Sequence, residues 1–70
     1  MKDCIMRYVE KYQDDLREGI MLDEILSDLV CTKEELVNAL DELWKDCGIA
    51  YDIRYNALFS MDVISIWKLL

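Results

Sequence analysis

Cysteines and carboxylates are the residues of this chain that could bind a metal or take part in a reaction. The chain has three cysteines, Cys4, Cys31 and Cys47, and no histidine. An odd number of cysteines cannot form a closed set of disulfides, and no Cys-x-x-Cys pair occurs. A structural zinc site needs four ligands, which three scattered cysteines without histidine do not supply. The sequence therefore predicts three free thiols that act as small buried hydrophobic side chains, with no metal and no cofactor.

The residues needed for the common catalytic mechanisms are missing as well. Without histidine, the Ser–His and Cys–His nucleophile pairs cannot form. The only two glycines, Gly19 and Gly48, do not make a phosphate-binding loop. In acidic pairs such as Glu34–Glu35, the side chains diverge by about 100° around a helix and do not share a cleft. We therefore predict that the chain is not an enzyme.

Acidic residues are concentrated in the middle of the chain. The net charge is −7, and residues 20–47 alone carry eight acidic residues against two lysines. An acidic surface of this kind disfavours nucleic acid and favours a basic partner.

Length and composition predict a single globular domain over residues 1–70. The chain is 54% hydrophobic and 33% charged, which is typical of a folded protein. A chain of this size buries only about 60% of its unfolded surface, so its core is small. No apolar run approaches the roughly 18–20 residues that a membrane span needs, and the N-terminus lacks the apolar core of a signal peptide. We expect a cytoplasmic protein that does not contact membranes.

Two amphipathic helices are predicted in the first half of the chain, over residues 2–17 and 22–30. Between them, Gly19 suits a left-handed position after a helix, and residues 20–22 are compatible with a short strand. The apolar residues of each segment recur at spacings of three and four. They are Ile5, Tyr8, Val9, Tyr12 and Leu16 in the first helix, and Leu22, Ile25, Leu26, Leu29 and Val30 in the second.

A third helix is predicted over residues 32–47. Thr32 and Glu35 have the spacing of a capping box, in which each side chain bonds to the other residue's backbone N–H. Leu36, Leu40, Leu43 and Cys47 then share one face, and Gly48 ends the helix. The opposite face carries polar and charged residues at the same spacing, namely Glu34, Asn38, Asp41 and Lys45.

A β-hairpin beginning at Ile49 is predicted after this helix. Alternating apolar residues make "IAYDI" a strand, "RYN" a turn and "ALFS" the returning strand. In residues 60–70, polar residues recur at every third position, which favours a short final helix capped by Ser60. The alternative is a long second strand over 62–69, which would place Ser65 on the same face as Val63 and Trp67.

The segment "LDEILSDLVCTKEELVNALDELWKDCGIAYDI" resembles the winged helix-turn-helix superfamily. An apolar second helix, a short turn, a Thr cap, spaced leucines and a Gly-Ile opening a strand are its common pattern. The resemblance implies an α+β, mostly α fold of three helices with a small hairpin, the wing. It identifies no particular family, and fold alone does not fix function.

In DNA-binding members of this superfamily, the third helix enters the major groove. By resemblance, Asn38 would then face an adenine and Lys33 a phosphate. Glu34, Asp41 and Glu42 would face the same polyanion. Because phosphate neutralisation supplies most of the non-specific affinity, this surface disfavours DNA binding by the isolated chain. A DNA-binding transcription regulator, acting as a dimer, remains the alternative.

The hypothesis that remains is a non-catalytic protein–protein interaction module on a winged-helix scaffold. Its acidic helix-turn-helix face would dock a basic protein partner, with a regulatory or inhibitory role. Homodimerisation through the apolar C-terminal region is a second arrangement, since exposed apolar patches mark interfaces. The expected partner-binding residues are Glu34, Asn38, Asp41, Glu42, Lys45, Phe59, Met61 and Trp67.

Overall fold

The computed structural model describes residues 1–46 and 48–69 of the chain. Within them the protein is α+β and mostly helical, as predicted, with a three-stranded antiparallel sheet of order β1-β3-β2. Cys47, which was expected to extend the leucine stripe of the third helix, lies outside the described residues. The helices are α1 (Lys2–Lys11), α2 (Gln13–Glu18), α3 (Leu22–Leu29) and α4 (Lys33–Lys45); the strands are β1 (Ile20–Met21), β2 (Ile49–Asn56) and β3 (Met61–Lys68).

The predicted first helix is divided in two by a kink at Tyr12. Tyr12 has φ −118° and ψ 34°, outside the helical region. The i to i−4 hydrogen bonds nevertheless continue across it, from the Tyr12 N–H to Tyr8 and from the Leu16 N–H to Tyr12. The Gln13 side chain also donates to the Glu10 carbonyl at 3.4 Å. A side chain that inserts into the backbone ladder is an established cause of helix kinks.

The second predicted helix ends one residue early because Val30 adopts a left-handed conformation. Val30 has φ 54° and ψ 56°, and it is 88% exposed, so its assignment to the apolar stripe was wrong. The Cys31 N–H donates to the Leu26 carbonyl at 3.2 Å, and the Val30 N–H donates to Ser27 at 3.3 Å. These two bonds form a Schellman motif, whose left-handed residue is usually glycine.

We expect Val30→Gly to stabilise the protein by about 0.5–1 kcal/mol. A left-handed conformation costs an L-residue roughly 1–2 kcal/mol, and glycine removes that cost while losing part of the gain through unfolded-state entropy. Little packing is lost, since the valine side chain is exposed. Urea unfolding of both forms measures the difference. Val30→Ala keeps the strain and serves as the control; equal stabilities for all three forms would contradict the strain argument.

The third helix begins as predicted. The Glu35 N–H donates to the Thr32 hydroxyl at 3.2 Å, and the Thr32 N–H donates to the Glu35 carboxylate at 3.1 Å, which completes the capping box. Leu36, Leu40 and Leu43 are buried, as their spacing indicated. They join residues of the other elements in one core, whose fully buried members also include Ile5, Val9, Leu16, Ile25, Ile49, Ile64 and Ile66.

The C-terminal segment is a strand, so the predicted final helix was wrong. The alternative of a long second strand was correct to within a residue at either end, with β3 paired to β2 from Ile49↔Lys68 to Asn56↔Met61. The predicted turn "RYN" and strand "ALFS" were also wrong, because β2 continues to Asn56 and the turn spans 57–60. The Asn56 side chain stabilises this turn by accepting from the Leu58 N–H at 2.9 Å.

The two faces of the sheet differ in what covers them. The inner face carries Tyr51, Ile64 and Ile66 and belongs to the core. Side chains alternate along a strand, so Arg54, Val63, Ser65 and Trp67 lie on the outer face. Ser65 is nevertheless buried, and the Arg54 guanidinium donates to its hydroxyl at 3.2 Å. This bond satisfies the Ser65 hydroxyl. The position of Ser65 beside Val63 and Trp67 had made a strand less expected than a helix.

Candidate functional site

The five expected partner-binding residues of α4 all lie on its exposed side. Leu36, Ala39, Leu40 and Leu43 form the buried side of the helix. The exposed side divides into a flank that meets β2 and a flank that meets the start of α1. We call the whole exposed set, Glu34, Asn38, Asp41, Glu42 and Lys45, the α4 acidic face.

Asp41 is fixed by an aromatic cluster on the β2 flank. The Tyr51 hydroxyl donates to the Asp41 carboxylate at 2.6 Å. The Trp44 ring stands edge-on to the Tyr51 ring, with centroids 5.5 Å apart. The hydrogen bond to Asp41, followed by burial and the carboxylate's negative charge, raises the pKa of Tyr51 to about 12. Asp41 therefore has a structural role in addition to its expected place in the binding surface.

This hydrogen bond predicts a stability change at alkaline pH. The ordinary pKa of Tyr51 is 10.0 and its folded value is about 12, so the folded state holds the phenol proton more tightly. The resulting stabilisation is present below about pH 10 and is lost as the pH rises through about 12. We expect the free energy of unfolding to fall less over this range in Tyr51→Phe than in the original chain. Tyr55→Phe, at an exposed site, is the control, and an unchanged pH dependence in Tyr51→Phe would contradict the assignment.

The cations nearest the α4 acidic face are already paired within the chain. On the α1 flank, the Lys2 ammonium lies 3.6 Å from the Glu42 carboxylate. At the start of α4, the Lys33 ammonium lies 3.8 Å from the Asp62 carboxylate. All four side chains are well exposed, so each pair contributes about 0–1 kcal/mol to folding. Glu34 makes no hydrogen bond or ion pair with any residue in the described part of the chain.

The three apolar residues expected at the interface do not form one patch with α4. Phe59 lies in the hairpin turn and is 61% exposed, and Met61 begins β3 nearby. The Lys33–Asp62 pair brings the start of α4 close to this end of the hairpin. Trp67 lies on the outer face at the other end of β3, opposite Ala50. Met61 alternates with Val63, Ser65 and Trp67, so it lies on the outer face with them, and Phe59 lines the groove beside Arg54 and Val63 of that face. All three residues therefore belong to a surface separate from the α4 acidic face.

An open groove of about 560 Å³ lies between the hairpin turn and the chain segment that enters β1. Its walls are mostly apolar, including Met21, Leu58 and Phe59, and Glu18 and Arg54 add one charge of each sign. The Arg54 guanidinium is engaged by Asp52, with Nε 3.3 Å from a carboxylate oxygen, and by Ser65. The groove contains no second cation that could bind an anionic ligand.

The expected partner-binding residues did not include the aromatic group formed by Trp44 of α4 with Tyr51 and Tyr55 of β2. Trp44 is 46% exposed and Tyr55 is 66% exposed, with Tyr51 half-buried between α4 and the strand. The period-two alternation of Tyr51, Ile53 and Tyr55 contained the signal, because it places all three on the inner face. The signal was lost when the strand was ended at Ile53.

The described cysteines do not form a site. Cys4 and Cys31 are free thiols, and Cys4 is exposed, so its assignment as a buried hydrophobic residue was wrong. Cys31 is half-buried, and that burial raises the pKa of its thiol. In residues 1–46 and 48–69, no three metal-ligating side chains come together. No helix in the same residues has the length and apolar composition needed to cross a membrane.

In comparisons with known proteins, no family model, no curated protein and no solved structure matches this chain.

Proposed function

We propose that this protein is a non-catalytic protein–protein interaction module that binds a basic protein partner through the α4 acidic face. Binding of this kind suits a regulatory or inhibitory adaptor, in which the module covers a basic surface of its target. Tyr55, on the inner face at the adjacent end of the hairpin, would supply apolar contact, while Phe59, Met61 and Trp67 would contribute only through the other face of the sheet.

A winged-helix arrangement is part of this proposal. It is supported by the chain order of one kinked helix, a short strand, two helices and a hairpin. The β2–β3 hairpin follows α4 along the chain, as the resemblance implies for the wing. In this arrangement α4 corresponds to the recognition helix and the β2–β3 hairpin to the wing.

The observation that carries the proposal is the net negative charge of the exposed α4 surface. Lys2 and Lys33 are each paired with a carboxylate of the same chain. Glu34 makes no ion pair within the described residues, and Glu42 is held only by an exposed pair with Lys2, so both carboxylates can meet an external cation. Complementary charge of this kind mainly increases the rate and specificity of association, and it weakens with salt.

Exposed apolar side chains beside the acidic surface favour a protein partner over a small cation. Trp44 is 46% exposed on α4 itself, and Tyr55 is 66% exposed opposite Asp62, which Lys33 joins to α4. Aromatic residues and methionine are enriched at the centres of protein interfaces, where they supply much of the binding energy.

A pull-down from native lysate at low and high salt tests the proposal. We expect basic proteins to be captured at low salt and largely released at high salt, because screening weakens contacts between exposed charges. Capture that selects no basic proteins, or capture unaffected by salt, would refute docking through the acidic face.

A DNA-binding role leads to a different expected result. We predict no measurable binding of the isolated chain to mixed-sequence duplex at physiological salt, because Lys33 is paired with Asp62 and Arg54 with Asp52. An electrophoretic shift assay measures this directly. A shift in the nanomolar-to-micromolar range would instead favour a transcription regulator that reads bases with Asn38.

A further inference from the structure

The strand β2 lies at an edge of the sheet. In the order β1-β3-β2, its pairing with β3 uses one side of the strand only. Within the described residues, no strand pairs with the other side of Ile49–Asn56. An edge of this length carries a row of outward N–H and C=O groups and can pair with another strand.

The charged side chains on this edge determine which charged side chains a pairing strand should carry. Asp52 and Arg54 are two residues apart on the outer face, where their exposed side chains form an ion pair within the single chain that an added strand would exchange for pairs with its own charges. Opposite charges directly across a strand pair are favourable and like charges are unfavourable. An antiparallel strand should therefore place an acid opposite Arg54 and, two residues later in its own direction, a base opposite Asp52. The strand itself reads Asp52-Ile53-Arg54, which is this pattern.

We propose that two copies of this protein pair through their β2 strands, antiparallel, about a two-fold axis at Ile53. In this register Asp52 lies opposite Arg54 of the second copy, and the symmetry repeats the pair. Tyr51 lies opposite Tyr55 of the second copy, also twice, on the inner face. The interface is isologous, which means that both copies contribute the same surface, as in most soluble homodimers.

The exposed aromatic residues agree with this register. Tyr55 is largely exposed in the single chain, and pairing brings it beside Tyr51 of the second copy, next to Trp44. Cross-strand aromatic pairs stabilise the pairing of two strands. The pairing therefore covers three aromatic residues that the single chain leaves wholly or partly exposed.

The consequence is a continuous six-stranded sheet with the helices of both copies on one side. Two α4 acidic faces then share that side, which gives a basic partner two contacts in place of one. The net charge of −7 on each chain opposes association, so we expect a weak dimer with Kd on the order of micromolar. The dimer is independent of the proposed function, because a single chain would still present its own α4 acidic face to a basic partner.

Charge exchange at two positions tests this pairing. Asp52→Arg places arginine opposite arginine in the proposed register, and Arg54→Asp places aspartate opposite aspartate. In sedimentation equilibrium, we expect the original chain to dimerise with rising concentration and each variant to associate about tenfold more weakly. An equimolar mixture of the two variants should regain dimers, because each copy then faces opposite charges. The double variant Asp52→Arg/Arg54→Asp should dimerise on its own for the same reason.

Arg54→Asp loses the bond to Ser65, which lowers the stability of the single chain. Dimers regained in the mixture would therefore show that this variant is still folded. Thermal melting of each variant confirms that a folded chain is being compared. A monomeric original chain up to about millimolar concentration would overturn the proposal. Single variants that associate like the original chain, or a mixture that stays monomeric, would overturn it too. Association abolished by Trp67→Ala but not by the charge variants would place the contact on the outer face instead.

Discussion

Leu40→Ala should lower the free energy of unfolding by about 2–5 kcal/mol, the range for removing a fully buried leucine. Leu40 is completely buried on the inner side of α4, among core residues from the helices and the sheet. The loss combines the transfer free energy of the removed atoms with the cost of the cavity. A domain of this size has only about 5–15 kcal/mol of stability or less, so the variant should unfold at a much lower temperature.

Leu58→Ala is the matched control for Leu40→Ala. Leu58 lies in the hairpin turn and is 91% exposed, so the same atoms are removed without opening a cavity. We expect this change to alter stability by less than about 0.5 kcal/mol. Chemical denaturation followed by circular dichroism measures both variants. Similar losses in the two would contradict the assignment of the leucine stripe to the core.

Gly19→Ala should destabilise the protein by about 2–4 kcal/mol, from backbone strain and steric overlap together. Gly19 has φ 114° and ψ 139°, a combination of positive φ and extended ψ that is almost restricted to glycine. A Cβ atom there would lie 2.9 Å from Val63 Cγ1 and 3.1 Å from Ser65 Oγ. Val63 is stiff because it is β-branched, and Ser65 is held by Arg54, so neither can move freely.

Gly48→Ala is the corresponding control. Its φ is not in the positive region, and among the described residues an added Cβ would meet only the Leu43 carbonyl oxygen, at an ordinary 3.5 Å. We expect a change within about 1 kcal/mol, in the stabilising direction if unfolded-state entropy dominates. Combining Gly19→Ala with Val63→Ala separates the two causes. The steric part should be recovered in the double variant, and the backbone strain should remain. Equal effects at Gly19 and Gly48 would refute the conformational argument.

The helical half of the fold could be predicted from the sequence because its signals are local. The Thr32–Glu35 capping box and the spacing of Leu36, Leu40 and Leu43 each depend on residues within four positions. The positive φ of Gly19 was also anticipated, although its ψ is extended rather than that of a left-handed helix. The kink at Tyr12 was not, since the Gln13 contact that accompanies it has no simple sequence signature.

The C-terminal strand could not be predicted because its stabilisation is not local. β3 pairs with β1 and β2 on its two sides, and one of these pairings spans more than forty residues, as in Ile20↔Ile64. The spacing of Asp62, Ser65 and Lys68 fits a helix equally well when those partners are unknown. Only the Arg54–Ser65 bond explains how a serine is accommodated among Val63 and Trp67.

The candidate site was predictable only where its geometry depends on residues close in sequence. The exposed side of α4 follows from helical periodicity, so Glu34, Asn38 and Lys45 lie where the sequence placed them. The engagement of Asp41 by Tyr51 and of Glu42 by Lys2 depends on how β2 and α1 pack against α4. The separation of Trp67 from Phe59 likewise required the strand direction of β3.

The most direct test of docking through the α4 acidic face compares two variants that lose equal negative charge. Glu34→Gln/Asp41→Asn/Glu42→Gln neutralises the face, and the asparagine oxygen can still accept from the Tyr51 hydroxyl. Asp14→Asn/Asp15→Asn/Glu18→Gln neutralises three exposed carboxylates on α2, which packs mainly against β3. The measurement is the amount of basic protein that each variant captures from native lysate at low salt. We predict that the α4 variant loses most of the capture while the α2 variant retains it, with both melting near the original temperature. Equal capture by the two variants would contradict the proposed site.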